Sequence, residues 1–357
     1  MAQTLIRVGI VGCGNAGRSI HLRILRSLHA SRYQVTCCAD TAREKAVELA
    51  AAAGLRAAAS PGALMADPEV DLVVIATRPP RTHRDLALAA LAAGKHVVVE
   101  KPMAGTAAEC DEMIAAAAAA GHLLAVHHNR RWDADFLAVR HAVESGIFGE
   151  IRLVRNEYTT GFAGSPYDWG IHIIDQTMAL SRGKRFVELT AAFCAPHPDR
   201  PADSEGFFTG RLRTEDGVLH DVGMLPVFNG NAFRPGRLPW RFMVVGERGV
   251  LYQEWCQRPE DALAKQSHFQ PAAPGTALAD LPLIASGLAI PDFYGALYEA
   301  IRGGGHPPVS GAEGRRAVRA AIRLAASGSG RTGRARRRRA AREAGVVPGP
   351  HPQVRRA

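Results

Sequence analysis

Cysteine is scarce in this 357-residue sequence, and the few cysteines follow no cross-linking or metal-binding spacing. They form no C-x-x-C pair and no histidine-containing zinc pattern; the six are Cys13, Cys37, Cys38, Cys110, Cys194 and Cys256. This pattern argues against a disulfide framework, and we expect no metal site. It is typical of a reducing compartment, so a cytoplasmic protein is predicted.

Long hydrophobic runs are also missing. The longest run, residues 113–121, is mostly alanine and falls well short of the ~20 residues that span a bilayer. Residues 5–11 lead directly into glycines rather than into the cleavage region of a secretory leader. We therefore expect neither membrane attachment nor export.

The overall composition is that of a folded globular protein. Hydrophobic residues make up 47% of the chain and charged residues 22%, which argues against general disorder. At roughly 150 residues per domain, the length predicts two domains. We place them at residues 1–128 and 129–330, followed by a tail at 331–357.

The net charge of +10 is concentrated in that tail. Residues 331–357 contain nine arginines and one glutamate, so the rest of the chain carries only +2. Repulsion between like charges and three prolines predict a disordered tail. We interpret it as a solvated segment without function, with a tether to RNA, DNA or another acidic surface as the alternative. No nucleic-acid partner is expected for the body.

The first 128 residues alternate short β-rich apolar runs with alanine-rich helical stretches. Strands are predicted at 5–11, 34–39, 72–76, 96–99 and 123–127, and helices at 16–28, 41–53, 82–93 and 106–120. This order is typical of a doubly wound parallel sheet of the Rossmann type. The apolar runs at 72–76 and 96–99 are continuous, as expected for strands that are covered on both faces.

The remainder of the body alternates polar and apolar residues more regularly. Strands are predicted at 151–159, 207–213, 218–224, 241–245 and 250–254, and helices at 133–145, 292–302 and 311–326. The fold class is therefore α/β, with a C-terminal α+β domain built on a large, mostly antiparallel, open-faced sheet. Such a face would expose apolar surface in a monomer, so we expect a homo-oligomer formed through it.

A glycine-rich turn follows the first predicted strand. Gly12-Cys-Gly14-Asn15-Ala16-Gly17 joins that strand to a helix, which is the context of a dinucleotide-binding fingerprint. The glycines permit the tight turn, the approach of a pyrophosphate and close packing of helix and strand. The alternative is a turn that is only structural.

Asp40 ends the second predicted strand, 23 residues after Gly17. An acid at about 20 residues meets the adenosine ribose and repels a 2′-phosphate, so NAD is predicted, with NADP possible because Arg43 is near. The alternative for Asp40 is a helix cap.

Two further groups carry chemistry. Glu100-Lys101-Pro102 places a cation at the carboxyl edge of the parallel sheet, where ligands of such folds bind; the alternative is a solvated strand end. Helical spacing puts Asp168, His172 and Asp175 on one face, so that two acids would flank an imidazole. Histidine is the usual general base near neutral pH, and the two acids would favour its protonated form once it accepts a proton. The alternative is a structural histidine.

In order along nearly the whole chain, these motifs resemble the glucose-fructose oxidoreductase and inositol dehydrogenase (Gfo/Idh/MocA) family. The ordered set comprises the glycine fingerprint, Ala76-Thr77 with His83, Ala93-Gly-Lys-His-Val97, Glu100-Lys101-Pro102, Asn129-Arg130-Arg-Trp-Asp133 and Asp168-x-x-x-His172. The resemblance implies a catalytic triad of Lys101, Asp168 and His172. It also implies cofactor contacts from Thr77, His83, Glu100 and Lys101, and a substrate pocket lined by Asn129 and Arg130.

A narrower likeness is to the scyllo-inositol 2-dehydrogenase branch, which often uses NADP. It is carried by the stretches at 168–176, 241–246 and 259–263. Asp40 departs from the NADP-type pattern, the 77–83 stretch is one residue longer than usual, and the tail extends beyond the point where relatives end.

We therefore predict a dinucleotide-binding domain and a substrate-binding and oligomerisation domain that together oxidise or reduce a secondary hydroxyl or ketone of a cyclic polyol or sugar by hydride transfer. His172 would be the base, Lys101 would hold the oxygen, and Asp168 would position the substrate. The alternative is a non-catalytic sensor of dinucleotide and sugar, against which the complete triad argues.

Overall fold

The computed structural model describes residues 5–160, 166–167, 169–193, 208–226, 241–253, 267–272, 279–280 and 292–327. Several features singled out in the sequence lie outside these residues: Asp168, Cys194, Cys256, the stretch 259–263 and the tail at 331–357.

Six parallel strands form the first sheet, in the order β3-β2-β1-β4-β5-β6. They are β1 (Ile6–Val11), β2 (Tyr33–Ala39), β3 (Arg56–Ala57), β4 (Leu72–Ile75), β5 (His96–Val99) and β6 (Leu124–Val126). All four residues of β4 are buried, as the continuous apolar run predicts. The doubly wound parallel sheet is confirmed.

Helices connect these strands. They are a π-helical segment (Ala16–Leu22) continued by α1 (Arg23–Leu28), then α2 (Arg43–Ala53), α3 (Pro61–Met65), a 3-10 turn (Pro80–Thr82) with α4 (His83–Ala92), and α5 (Ala107–Ala120). Helix α5 begins with a capping box in which Thr106 and Glu109 each satisfy the other's backbone N–H. The short elements β3 and α3 were not predicted, because residues 56–65 are too few to show a period.

Eight strands form the second sheet, in the order β14-β13-β12-β11-β7-β10-β9-β8. They are β7 (Ile151–Thr160), β8 (Phe186–Phe193), β9 (Phe208–Thr214), β10 (Leu219–Pro226), β11 (Phe242–Gly246), β12 (Gly249–Gln253), β13 (Ser267–Pro271) and β14 (Ala279–Asp280). Among the described strands of this sheet, only β7 and β10 pair in parallel, so the mostly antiparallel sheet is confirmed.

Four helices complete the described chain. They are α6 (Ala134–Glu144), α7 (Gly170–Leu180), α8 (Phe293–Gly303) and α9 (Gly311–Ser327), with a 3-10 turn (Asn129–Trp132) before α6. Helices α7 and α9 pack on the inner face of the second sheet, where Ile173 and Leu324 meet Val222. Helix α8 returns to the first sheet, and its Tyr294 packs with Tyr33. Helix α9 contributes to the cores of both sheets, through Val318 on the first and Leu324 on the second.

The outer face of the second sheet is mixed in character. On β8, β9 and β10 it carries ion pairs, including Arg211 with Asp221 at 2.6 Å and Arg213 with Glu188 at 2.6 Å. Half-buried apolar side chains are grouped on β7, β11 and β12; they are Leu153, Met243, Val245, Val250 and Tyr252. Among the described residues, the half-buried apolar side chains of this face are thus grouped on β7, β11 and β12, while the exposed Val187 lies apart on β8.

Within the described ranges, no helix combines the length and the apolar character needed to cross a bilayer.

Candidate active site

The glycine-rich turn has the shape that the motif predicts. Gly12 adopts φ +102°, and a Cβ there would lie 2.6 Å from the carbonyl oxygen of Ala76; a Cβ on Gly17 would lie 2.0 Å from the carbonyl oxygen of Gly12. Both positions therefore exclude larger residues. A Cβ on Gly14 would meet nothing within 4 Å. Gly14 lines a cleft, so its bare backbone leaves room for a diphosphate to approach.

That cleft has a volume of about 1470 Å³ and runs between the two sheets. Most residues expected to bind the cofactor line it: Gly12, Gly14, Asn15, Ala16, Asp40, Thr77, His83, Glu100 and Lys101. Gly17 packs behind the turn instead. Asn129, Arg130 and His172 line the same cleft. One continuous space thus joins the phosphate-binding turn to the expected catalytic residues.

Asp40 holds the turn in place as well as facing the cleft. Its Oδ2 accepts a hydrogen bond from the backbone N–H of Cys13 at 2.8 Å, and its Oδ1 accepts one from Ala42 at 2.9 Å. Helix α2 begins at Arg43 without a side-chain cap. Asp40 therefore forms a turn before the helix rather than capping it, and its negative charge stays at the edge of the cleft.

His83 is engaged with the backbone on both sides of its ring. It is buried, with Nδ1 2.9 Å from the carbonyl oxygen of Pro102 and Nε2 3.0 Å from that of Thr77. The Thr77 hydroxyl is hydrogen-bonded to Thr82 at 2.8 Å. His83 therefore joins the turn after β4 to the turn after β5, and it also lines the cleft.

Glu100 lines the cleft and is also a buried hydrogen-bond acceptor. Its Oε1 lies 3.0 Å from Nε2 of His21 and 2.8 Å from Nδ1 of His127, and its Oε2 accepts the N–H of Lys101. The two histidines hold the pKa of Glu100 well below its usual value despite its burial. The ionised carboxylate fixes the backbone from which Lys101 enters the cleft.

The same three side chains are the one group of potential metal ligands in the part of the chain that the structure describes. Their contacts have hydrogen-bond lengths, and the other nitrogen of His21 lies 2.6 Å from the hydroxyl of Tyr294. Hydrogen bonds thus account for the arrangement of His21, Glu100 and His127 without an ion.

His172 lies in the first turn of α7 and is 5% exposed. Burial and the positive charges of Lys101 and Arg130 hold its pKa well below the usual value. This corrects the expectation that two acids would favour the protonated form. Asp175 is committed elsewhere, because Arg131 binds both of its oxygens at 2.7 Å. A neutral imidazole facing the cleft is in the form that accepts a proton.

Arg130 is held against the cleft by two neighbours. Its NH1 lies 3.3 Å from Oδ2 of Asp133, and its guanidinium lies 5.2 Å from the ring centroid of Trp169. Trp169 also lines the cleft and packs edge-on against His172. The sequence analysis did not single out Trp169, although it stands next to Asp168 in a quoted motif.

His128 is the other residue that the sequence analysis missed. It lies two residues after β6, as Lys101 lies two residues after the neighbouring strand β5. Its ring is almost perpendicular to that of His172, with 6.1 Å between the centroids. Its position beside the quoted motif that begins at Asn129 was the available signal.

Comparison with known proteins supports the resemblance to the Gfo/Idh/MocA family. Residues 6–128 match the Gfo/Idh/MocA model, described as an oxidoreductase family with an NAD-binding Rossmann fold. Residues 6–128 therefore belong to this family. Among solved structures, an NAD-binding protein from Listeria innocua superposes with a TM-score of 0.76 at 26% identity, and the match covers 91% of this chain and 95% of that one.

Two curated relatives of this chain are each 35% identical over 189 residues. They are the uncharacterized oxidoreductase YdgJ of Escherichia coli and the scyllo-inositol 2-dehydrogenase (NADP(+)) IolW of Bacillus subtilis. Each match covers 49% of this chain, and 53% and 51% of the relatives respectively. The chain thus spans about half the length of these curated relatives.

Proposed function

We propose that this oxidoreductase uses NAD(P) to interconvert a secondary hydroxyl and a ketone on a cyclic polyol or sugar. The observation that carries the proposal is that Lys101, from the edge of the first sheet, and His172, from a helix on the second, line the cleft that begins at the glycine turn. A relative named scyllo-inositol 2-dehydrogenase supports the substrate class.

The residues of the cleft have separate roles in the proposed reaction. The cofactor, when bound, supplies a nicotinamide ring that accepts or donates hydride. Lys101 binds the substrate oxygen and stabilises the negative charge that develops on it. His172, neutral because its pKa is depressed, removes the hydroxyl proton. Asp168 is proposed to position the substrate, and Asn129 and Arg130 to line its pocket.

NAD is the cofactor we propose, with NADP as the second candidate. The open cradle at Gly14 suits the diphosphate of either one. Asp40 stands on the cleft wall and would repel a 2′-phosphate. Lys45 also lines the cleft, and its positive charge favours NADP. Asp40 nevertheless stands at the end of the strand where the ribose is expected.

We test the activity by following reduction of NAD and NADP against inositols, hexoses and sugar acids. On the substrate that turns over, Lys101→Ala and His172→Ala are each expected to lower kcat by on the order of 10²–10⁴. The Kd for the cofactor should stay within about twofold, because neither side chain forms the phosphate cradle.

Lys184→Ala is the matched control, since that lysine lies outside the cleft lining and pairs with Asp216 at the surface. Wild-type turnover in either site variant would remove that residue from the mechanism. Tight cofactor binding with no turnover on any substrate would instead favour a sensor.

We also propose that the protein forms a homo-oligomer through the outer face of the second sheet. The half-buried apolar group on β7, β11 and β12 is the part of that face suited to a second copy.

A further inference from the structure

His128 is a fully buried imidazole with unused hydrogen-bonding capacity. It is 1% exposed, and neither ring nitrogen has a hydrogen-bond partner within the described chain. The Nδ1 atom of His172, next to it, is also buried and unpartnered. Burying three nitrogens without hydrogen-bond partners costs free energy, unless these nitrogens bond to each other or share a proton.

An acid stands behind His128. Oδ2 of Asp175 lies 3.8 Å from Nδ1 of His128, just beyond hydrogen-bond length. Arg131 lies between Asp175 and Glu313, at 2.7 Å from each. These two carboxylates and one guanidinium carry a net charge of −1, and Asp175 favours an imidazolium at His128 against the effect of Lys101 and Arg131.

The order of these groups is a path that leads away from the cleft. His172 faces the cleft, His128 lies behind it and does not line the cleft, and Asp175 follows. Contacts of this kind are often long before substrate binds and shorten in the reactive complex.

We propose that His128 is a positioning residue that accepts a proton from His172, directly or through one bound water, while Asp175 orients it. This inference rests on the proposed function, because it takes His172 as the base.

The proton and electron balance is complete. The substrate hydroxyl gives its proton to Nε2 of His172, and the Nδ1 proton of His172 moves to Nε2 of His128. The carbon–hydrogen bond of the alcohol breaks, and its electron pair leaves as hydride to the nicotinamide. The alcohol carbon is oxidised, the dinucleotide is reduced, and one proton is left on His128 beside Asp175.

Several charged groups face this relay and set its protonation. Lys101 and Glu100 act from the end of β5, Arg131 from the 3-10 turn, and Asp175 from α7. Burial lowers the pKa of His128, as do Lys101 and Arg131, whereas Asp175 raises it. His128 in turn helps to lower the pKa of His172. Removing His128 should therefore raise the pKa of His172.

The first test uses His128→Gln, with His220→Gln as the matched control. His220 is also buried with an unpartnered Nδ1, but it lies on β10 against Phe186 and outside the cleft lining. We expect His128→Gln to lower kcat about 10- to 100-fold with KM within about twofold, and to shift the acid limb of the pH profile to higher pH.

A proton inventory in mixtures of H₂O and D₂O separates a relay from a structural role. We expect a curved inventory in the wild type and in His220→Gln, because two protons move, and a linear one in His128→Gln. An unchanged kcat in His128→Gln, or a reduced kcat with the curvature retained, would overturn the proposal.

A second test does not depend on turnover. The ¹⁵N spectrum of histidine-labelled protein reports which ring nitrogen carries the proton. We expect it on Nδ1 of both His128 and His172. A proton on Nε2 of His172 would refute the relay even if the polyol screen succeeds, and the expected tautomers would support it even if that screen finds no substrate.

Discussion

Asp40 combines a structural and an electrostatic contribution, and the two can be separated. Asp40→Asn keeps one acceptor oxygen for the N–H of Cys13 or Ala42 but removes the charge that would oppose a 2′-phosphate. We expect the ratio of the Kd for NADP to the Kd for NAD to fall about tenfold, which corresponds to about 1.4 kcal/mol. Calorimetric titration of the protein with each dinucleotide measures this ratio.

Glu48→Gln is the control for this experiment. It removes one negative charge on α2, where Glu48 pairs with Arg18 at the surface outside the cleft lining. An equal change of the ratio in both variants would show a general charge effect and would contradict the assignment of Asp40.

The positions of the candidate site residues could be predicted from the sequence, but the residues that contact them could not. Gly12, Lys101 and His172 could be placed at the cleft because strand ends and helical spacing are local signals. The environment of His172 could not be predicted in this way. Asp175 forms an ion pair with Arg131, 44 positions earlier in the chain. The cations that lower the pKa of His172 come from other elements.

Helix α7 is anchored through a buried ion pair with the 3-10 turn. Arg131 binds Asp175, which is 1% exposed. Arg131→Met would leave that carboxylate buried and uncompensated, so we expect the free energy of unfolding to fall by about 3–5 kcal/mol. Urea denaturation measures the loss.

Arg152→Met provides the comparison for this loss. The side chain of Arg152 is 62% exposed and pairs with Glu150 and Glu247, so its removal should cost no more than about 1 kcal/mol. Equal losses in the two variants would contradict the anchoring role of Arg131.

Elements with strong local patterns were predicted, and elements without them were missed. Strands β4 and β5 are continuous apolar runs, and α5 has both a capping box and a glycine end. Strand β8 was not foreseen because it lies at the sheet edge, where half of its residues are exposed and none is buried. The return of α8 to the first sheet depends on contacts such as Tyr294 with Tyr33, which no local pattern encodes.

At the scale of the whole molecule, the outer sheet face predicts self-association. Val245 lies at the centre of the apolar group, since its cross-strand partners are Leu153 and Val250. Val245→Glu would place a charge in a buried interface, so we expect the oligomer to dissociate to monomers in light scattering coupled to gel filtration.

Thr190→Glu, at an exposed position of β8 on the far side of the sheet, should leave the assembly unchanged. A wild-type monomer at micromolar concentration, or an intact oligomer of Val245→Glu, would contradict an interface centred on Val245.

The most direct test of the account is a crystal structure with the dinucleotide and the polyol that the screen identifies. We expect one substrate hydroxyl to lie within about 2.6–3.2 Å of both Nζ of Lys101 and Nε2 of His172, with its carbon against the nicotinamide ring. A substrate hydroxyl that contacts neither group, or a ring bound away from the end of β5, would contradict the proposed chemistry.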